Sequence, residues 1–185
     1  EPLASFKKVT HKVPQWSFND AFTENDIREF DARVKRILKQ NTDRDIDPTY
    51  VIELKIDGLK VVLEYQNGIL TTAATRGNGL VGEDVTANVR TIESVPIVLR
   101  EKIDIIVEGE VWLGKSNLEK LNKEQEKKGL PLYANPRNVA AGTIRQLDPR
   151  IVATRGLSTF IYDIAKSNEI PETQEEELKR LRDLG

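Results

Sequence analysis

The sequence predicts an α+β fold, with antiparallel sheets flanked by helices. Two observations carry this. Asn67-Gly68 joins two strand-like runs, KVVLEY and ILTTAATR, and Asn-Gly between such runs is a strong hairpin signal. Hairpins are then mixed with capped helices, without the regular strand–helix alternation that builds a doubly wound sheet.

Each element follows from local pattern. Thr23 is an N-cap with Asp26 three residues later, and Ile27, Phe30, Val34, Ile37 and Leu38 recur at helical spacing. A helix over about 24–40 results. DRDIDPTY is a connecting loop. Two strands are expected at about 51–57 and 60–66, parted by a turn at Asp57-Gly58, and ILTTAATR returns antiparallel. GNGLVGED is a glycine-rich loop and EDVTANVRTI a short helix. IDIIVEGEVWL is the next strand. Ser116 and Glu119 have capping-box spacing for a helix reaching Lys128 before Gly129. NPRNVAAGTIRQL reads as a helix begun through Pro136, LSTFIYDIA as a strand, and Thr173 with Glu176 as the cap of a last helix that stops at Gly185.

Composition narrows the function classes. The chain has 185 residues, 38% hydrophobic and 31% charged, a globular balance. No apolar run approaches the roughly 20 residues that span a bilayer, and the N-terminus has no signal-peptide core, so the cytoplasm is the expected compartment. With no cysteine, disulfides, iron–sulfur clusters and thiolate zinc are excluded within these residues, and the single His11 argues against imidazole metal sites or a Ser–His triad. The sequence starts at Glu1 and contains no methionine, which suggests part of a longer protein. Net charge is −2, yet residues 135–156 carry Arg137, Arg145, Arg150 and Arg155 against the single acid Asp148. Such a segment is either a solvated face or a phosphate-binding surface.

Chemistry concentrates in ELKIDG, residues 53–58. On a strand, Glu53, Lys55 and Asp57 would share one face. Lys55 is either a surface lysine on an edge strand or a nucleophilic amine. A free lysine has a pKa of about 10.4, so roughly one molecule in a thousand is neutral near pH 7.5, and desolvation or nearby cations raise that fraction. The neighbouring acids act the other way, so Glu53 and Asp57 need other work, such as holding ligand hydroxyls or Mg²⁺. GNGLVG, residues 77–82, fits the GxGxxG dinucleotide pattern. The half-polar strand before it and the missing parallel βαβ unit favour a tight loop following a functional Arg76.

KIDG also fits the KxDG signature of enzymes that transfer a nucleotide to their own lysine: DNA ligases, RNA ligases and capping enzymes. The wider sequence resembles the adenylation domain of bacterial NAD-dependent DNA ligases almost end to end. The resemblance runs through HKVPQWSFNDAF (11–22), ELKIDG (53–58), AATRGNGLVGEDVTANVRTI (73–92), EGEVWL (108–113) and ANPRNVAAGTIRQLDPRI (134–151). The last segment is not shared with ATP-dependent ligases or capping enzymes.

The resemblance implies a nucleotidyltransferase (ATP-grasp-like) core spanning 1–185, with 1–45 leading into it. It implies Lys55 as the lysine that becomes AMP-linked, Glu53 beside the adenine and Arg76 as a ribose and nucleotide contact. Glu110 would bind ribose hydroxyls, while Asp57, Ser17 and Phe18 would complete the nucleotide contacts. Arg137 and Arg145 would touch nick phosphates, although a structural ion pair stays open for both. On a helix over 137–147 their spacing of eight residues is about 12 Å along one side. NAD⁺, Mg²⁺ and nicked double-stranded DNA are the implied substrate, metal and partner, for a monomeric bacterial protein near the nucleoid that acts in DNA replication and repair. No metal-ligand set is assigned in these residues. Zinc belongs to a cysteine zinc-finger region elsewhere in the family.

Departures accompany the likeness. Glu108 stands where the family commonly has arginine, VPQWSFND replaces VPMLSLDN so that Trp16 and Phe18 change the packing, and GNG replaces GDG. The family's later DGVVIK-type strand, its preceding helical domain, and its OB-fold, helix-hairpin-helix and BRCT-type regions are not among these residues. The piece alone is therefore expected to be truncated at its C-terminal end and weak or inactive. A non-catalytic nucleotide- or DNA-binding fragment and an ATP-using ligase or capping enzyme remain the alternatives.

Overall fold

A computed structural model describes residues 6–185, which form two compact units. Residues 1–5, where the 1–45 segment begins, lie outside the described residues.

The first unit joins the N-terminal residues up to Gln15 to Lys55–Gly185. Its centre is a four-stranded antiparallel sheet. In chain order the sheet contains β2 (Leu59–Gln66), β3 (Ile69–Thr75), β5 (Ile105–Leu113) and β6 (Leu157–Ser167), arranged β3-β2-β5-β6. Asn67 and Gly68 have φ of 50° and 75°, the paired positive angles of a type I′ hairpin. A two-stranded sheet pairs β1 (Lys8–Thr10) with β4 (Val81–Glu83). Nothing in the sequence marks β1, because three residues are too few for periodicity to register.

Alternation gives the main sheet two unlike faces. Val61 and Leu63 of β2 and Val107, Val111 and Leu113 of β5 are buried in the core. Residues of α3 (Lys115–Lys127), α4 (Pro136–Ile144) and α5 (Pro149–Ala153) join them, notably Leu121, Ala140, Ile144 and Val152. The opposite positions hold charges: Lys60 and Glu64 on β2, Glu108 and Glu110 on β5. Lys60 pairs directly with Glu110 across the ladder. α2 (Thr86–Val89) places Asn88 where its amide donates to Ile144 O and Gln146 O, each at 2.7 Å, satisfying the carbonyl end of α4. α6 (Gln174–Leu184) has the expected Thr173–Glu176 capping box.

Three local expectations are corrected. Residues 51–57 are not a strand. Leu59 pairs with Val111 and β5 stops two residues later at Leu113, so continuing the same register leaves no partner on β5 for residues 51–56. The helix after β5 is capped at Gly114, without a side-chain bond. Ser116 falls inside its first turn, because the chain passes from strand to helix through that single glycine. The helix expected over 137–147 ends at Ile144, leaving Arg145 as its C-cap with φ −99°, and Asp148 caps the separate α5.

The second unit, Trp16–Leu54, contains α1 (Glu24–Thr42), opened by the Thr23–Asp26 capping box. Its following segment folds back on the helix. Tyr50 donates to Asp31 at 2.8 Å, its ring lies 5.9 Å from that of Phe30, and Lys35 bridges Asp31 and Asp47 at 3.0 and 2.7 Å. Among the described residues no helix is long and apolar enough to cross a membrane.

Candidate nucleotide-binding site

Lys55 opens the first unit on the connection into β2 and is exposed. Three residues later Gly58 is buried against β5. A Cβ there would lie 2.2 Å from Val111 O and 3.3 Å from Glu110 Oε2. Only glycine permits this approach, and it brings Lys55 and Asp57 beside Glu110. From α4, Asn135 caps the backbone N–H of Arg137 at 2.8 Å, and the Arg137 guanidinium meets Asp57 at 3.4 Å.

Glu110 sits at the centre of these charges. Partial burial pushes its carboxyl above the ordinary carboxylate value. Lys55, Arg137 and Lys60 pull it back, in that order, and Asp57 adds a smaller push upward. Burial also raises the Tyr162 phenol on β6, with further pushes from Glu110, Glu108 and Asp163. The structure thus gathers Lys55, Asp57, Glu110 and Arg137 at one place.

Arg76 follows β3 at the start of a glycine loop. Its N–H donates to Lys60 O at 3.2 Å, and its carbonyl accepts from Gly79 N at 3.0 Å. Gly77 and Gly79 have φ of 56° and 95°. A Cβ on Gly77 would lie 1.9 Å from Val81 O, so the loop is a tight reversal between antiparallel segments. The GxGxxG pattern therefore serves a turn here and not a dinucleotide fold. The His11 ring is 3.1 Å from Arg76 O. Arg76 Nε is buried and has no hydrogen-bond acceptor among the described residues.

Arg145 pairs with a different acid from Arg137. Its Nε donates to the buried Glu83 carboxylate at 3.0 Å, which also accepts from Thr75 Oγ1 at 2.7 Å. Ser17, Phe18 and Glu53 belong to the second unit, Glu53 being two residues before Lys55 in the chain. Sequence reasoning passed over Lys60, Glu83 and Gln15. Lys60 was within reach, since alternation through LKVVLEY puts it on the face away from Val61 and Leu63. Glu83 and Gln15 depend on pairings between distant segments.

A family model described as the NAD-dependent DNA ligase adenylation domain matches residues 3–185. Curated relatives agree. A DNA ligase of Brevibacillus brevis is 50% identical over 100% of this chain. DNA ligases of Caldicellulosiruptor saccharolyticus and Clostridioides difficile are 48% and 44% identical over 97% and 100% of it. The chain spans about a quarter of these relatives' length, 26–27%. On this match, the chain belongs to the family of NAD-dependent DNA ligase adenylation domains.

Proposed function

We propose that these residues bind the AMP half of NAD⁺ and carry the self-adenylating lysine of a DNA ligase, with Lys55 as nucleophile. The observation that supports this most directly is the close approach of Gly58 to Val111 and Glu110, which sets the Lys55–Asp57 segment, with Arg137 against Asp57, beside the Glu110 carboxylate. Cations beside a carboxylate suit a nucleotide, whose phosphates take the positive groups while its ribose hydroxyls donate to the acid. The buried Nε–H of Arg76 is a donor suited to a ligand oxygen.

In this reading the neutral Lys55 amine attacks the α-phosphorus of NAD⁺. A nitrogen–phosphorus bond forms, the bond to nicotinamide mononucleotide breaks, and the nitrogen loses a proton. A 5′-phosphate oxygen at a DNA nick then displaces the lysine from AMP. The 3′-hydroxyl attacks the 5′-phosphorus, loses its proton, and releases AMP from the sealed strand. Arg76 would neutralise charge developing on the phosphates, and Glu110 would orient the ribose. Glu53, Ser17 and Phe18 would contact the adenosine. Arg137 and Arg145 would engage phosphates flanking the nick.

Mg²⁺ is commonly held by one or two carboxylates together with substrate phosphates. Among the described residues no three metal-binding side chains cluster, while Asp57, met by Arg137 at 3.4 Å, is a single exposed carboxylate two residues after Lys55. That donor set fits a phosphate-borne Mg²⁺, which when bound supplies charge neutralisation at phosphorus.

The experiment incubates a full-length protein carrying this domain with adenine-labelled NAD⁺ and Mg²⁺, then digests it. Label is expected on the Lys55 peptide alone and absent from Lys55→Ala. Label on another lysine, or label surviving that substitution, would sink the assignment. A parallel incubation with labelled ATP tests the choice of nucleotide.

A further inference from the structure

Glu108 is buried on the charged face of β5, where a polar side chain needs partners. Two are at hand. Lys60 Nζ lies 2.6 Å from Oε2, with side-chain exposures of 12% and 9% for lysine and acid. Gln15 Nε2 donates to Oε1, also at 2.6 Å. The same Gln15 nitrogen donates to Val13 O at 3.1 Å, and the Gln15 backbone N–H donates to Gly79 O at 2.9 Å. Gln15 therefore grips the glycine loop after Arg76 with its backbone and Glu108 with its side chain. His11 adds a second hold on that loop, its backbone N–H donating to Leu80 O at 2.9 Å. At the other end of the network, Lys60 sits directly across the ladder from Glu110, although its ammonium is drawn diagonally to Glu108.

We infer that Gln15, Glu108 and Lys60 form a positioning network that ties the Arg76 loop to Glu110 and fixes the distance between these two nucleotide contacts. The inference rests on the nucleotide-binding reading of Arg76 and Glu110. None of the three network residues touches reacting atoms in that reading, so they act through others. Stability alone does not account for the network. A buried ion pair gains little over apolar residues of similar volume, because desolvation offsets the attraction. Gln15 Oε1 is buried with no hydrogen-bond partner among the described residues, so the network is bonded through the Gln15 nitrogen. What such a network supplies is geometry, and a ligand site needs its contacts held to within about 0.5 Å.

The pair and the link can be removed separately in a full-length protein. K60M/E108L exchanges both charges for apolar side chains, so its melting temperature should stay near that of the wild type. Self-adenylation should then show a KM for NAD⁺ raised roughly tenfold, the size of one charge-assisted hydrogen bond, with kcat changed much less. Q15M keeps the Lys60–Glu108 pair and cuts only the tie to the loop. It removes one of two partners of a buried carboxylate, so the melting temperature should fall modestly. Measured well below that temperature, KM should rise in the same direction, while K60R should retain wild-type KM. Wild-type KM in Q15M, or in a K60M/E108L protein that melts normally, overturns the inference. So does a rise in KM in either variant that only tracks lost thermal stability. A wild-type protein that takes no label from NAD⁺ removes the nucleotide reading and this inference together. Label on Lys55 with unchanged KM in Q15M and K60M/E108L removes the network role alone.

Discussion

Arg145 and Glu83 form an ion pair at 3.0 Å in which the acid is 1% exposed and the arginine side chain 33% exposed. Glu83 also takes a hydrogen bond from Thr75, the residue before Arg76. Glu83 thereby joins β4 to the end of β3, and Arg145 ties the end of α4 to the same carboxylate.

Removing Arg145 should therefore cost stability before it costs DNA binding. Arg145→Ala takes the arginine away from a buried carboxylate, and breaking one side of such a pair costs about 3 kcal/mol. Glu83→Gln, which keeps an acceptor for Thr75, should cost less. Thermal melting of both variants checks this. A normal melting temperature for Arg145→Ala with a large loss of nick affinity would return Arg145 to a phosphate-only role.

Glu110 should make the domain less stable as pH rises. Burial lifts its folded pKa above the ordinary carboxylate value of 4.5. The folded state thus holds the proton more tightly than the unfolded chain does. Its contribution is full below the unfolded pKa and is lost as pH rises through the folded one. Glu110→Gln should accordingly melt higher than the wild type at pH 7, with the gap closing toward pH ~4, while self-adenylation is strongly reduced. An E110Q protein less stable at pH 7 and normal in adenylation would mean that the carboxylate serves structure.

Much of the fold could be read from local pattern, and the exceptions share one cause. The Asn67-Gly68 hairpin and the Thr23 and Thr173 capping boxes depend on residues a few positions apart, and the structure contains all three. The strand expected at 51–57 failed because pairing depends on how far β5 extends, a fact about another segment. Ser116 and Glu119 had the right spacing, but Gly114 had already begun the helix. In the site, the nearness of Lys55 to Glu110 depends on Gly58 lying against Val111, and Glu83 was invisible until β4 met β3 and α4.

Gly58 offers a direct test of that geometry. Gly58→Ala would force a Cβ to within 2.2 Å of the Val111 carbonyl, a backbone atom that cannot swing aside. Overpacking of this kind costs about 1–3 kcal/mol and moves the backbone. The displaced segment carries Lys55 and Asp57, so self-adenylation should fall further than the melting temperature alone would dictate. Single-turnover labelling at a temperature well below the melting point separates the two. Full activity in a folded G58A protein would show that the close approach to β5 is not required.

Arg137 should behave unlike Arg145. Its contact with Asp57 is long, at 3.4 Å, and both side chains are largely exposed, 59% and 69%. Exposed pairs contribute about 0–1 kcal/mol, so Arg137→Ala should leave the melting temperature almost unchanged. The guanidinium is a planar fork that stays charged and can donate two hydrogen bonds to one phosphate. If it engages the DNA backbone, its loss weakens binding to every nicked duplex alike, and the dependence of log affinity on log salt becomes shallower by about one unit. Sealing should slow while formation of Lys55-AMP stays the less affected step. The measurement is nicked-duplex affinity at several salt concentrations, set beside separate rates for self-adenylation and sealing. An unchanged salt slope with impaired self-adenylation would assign Arg137 to the nucleotide, next to Glu110, and not to DNA.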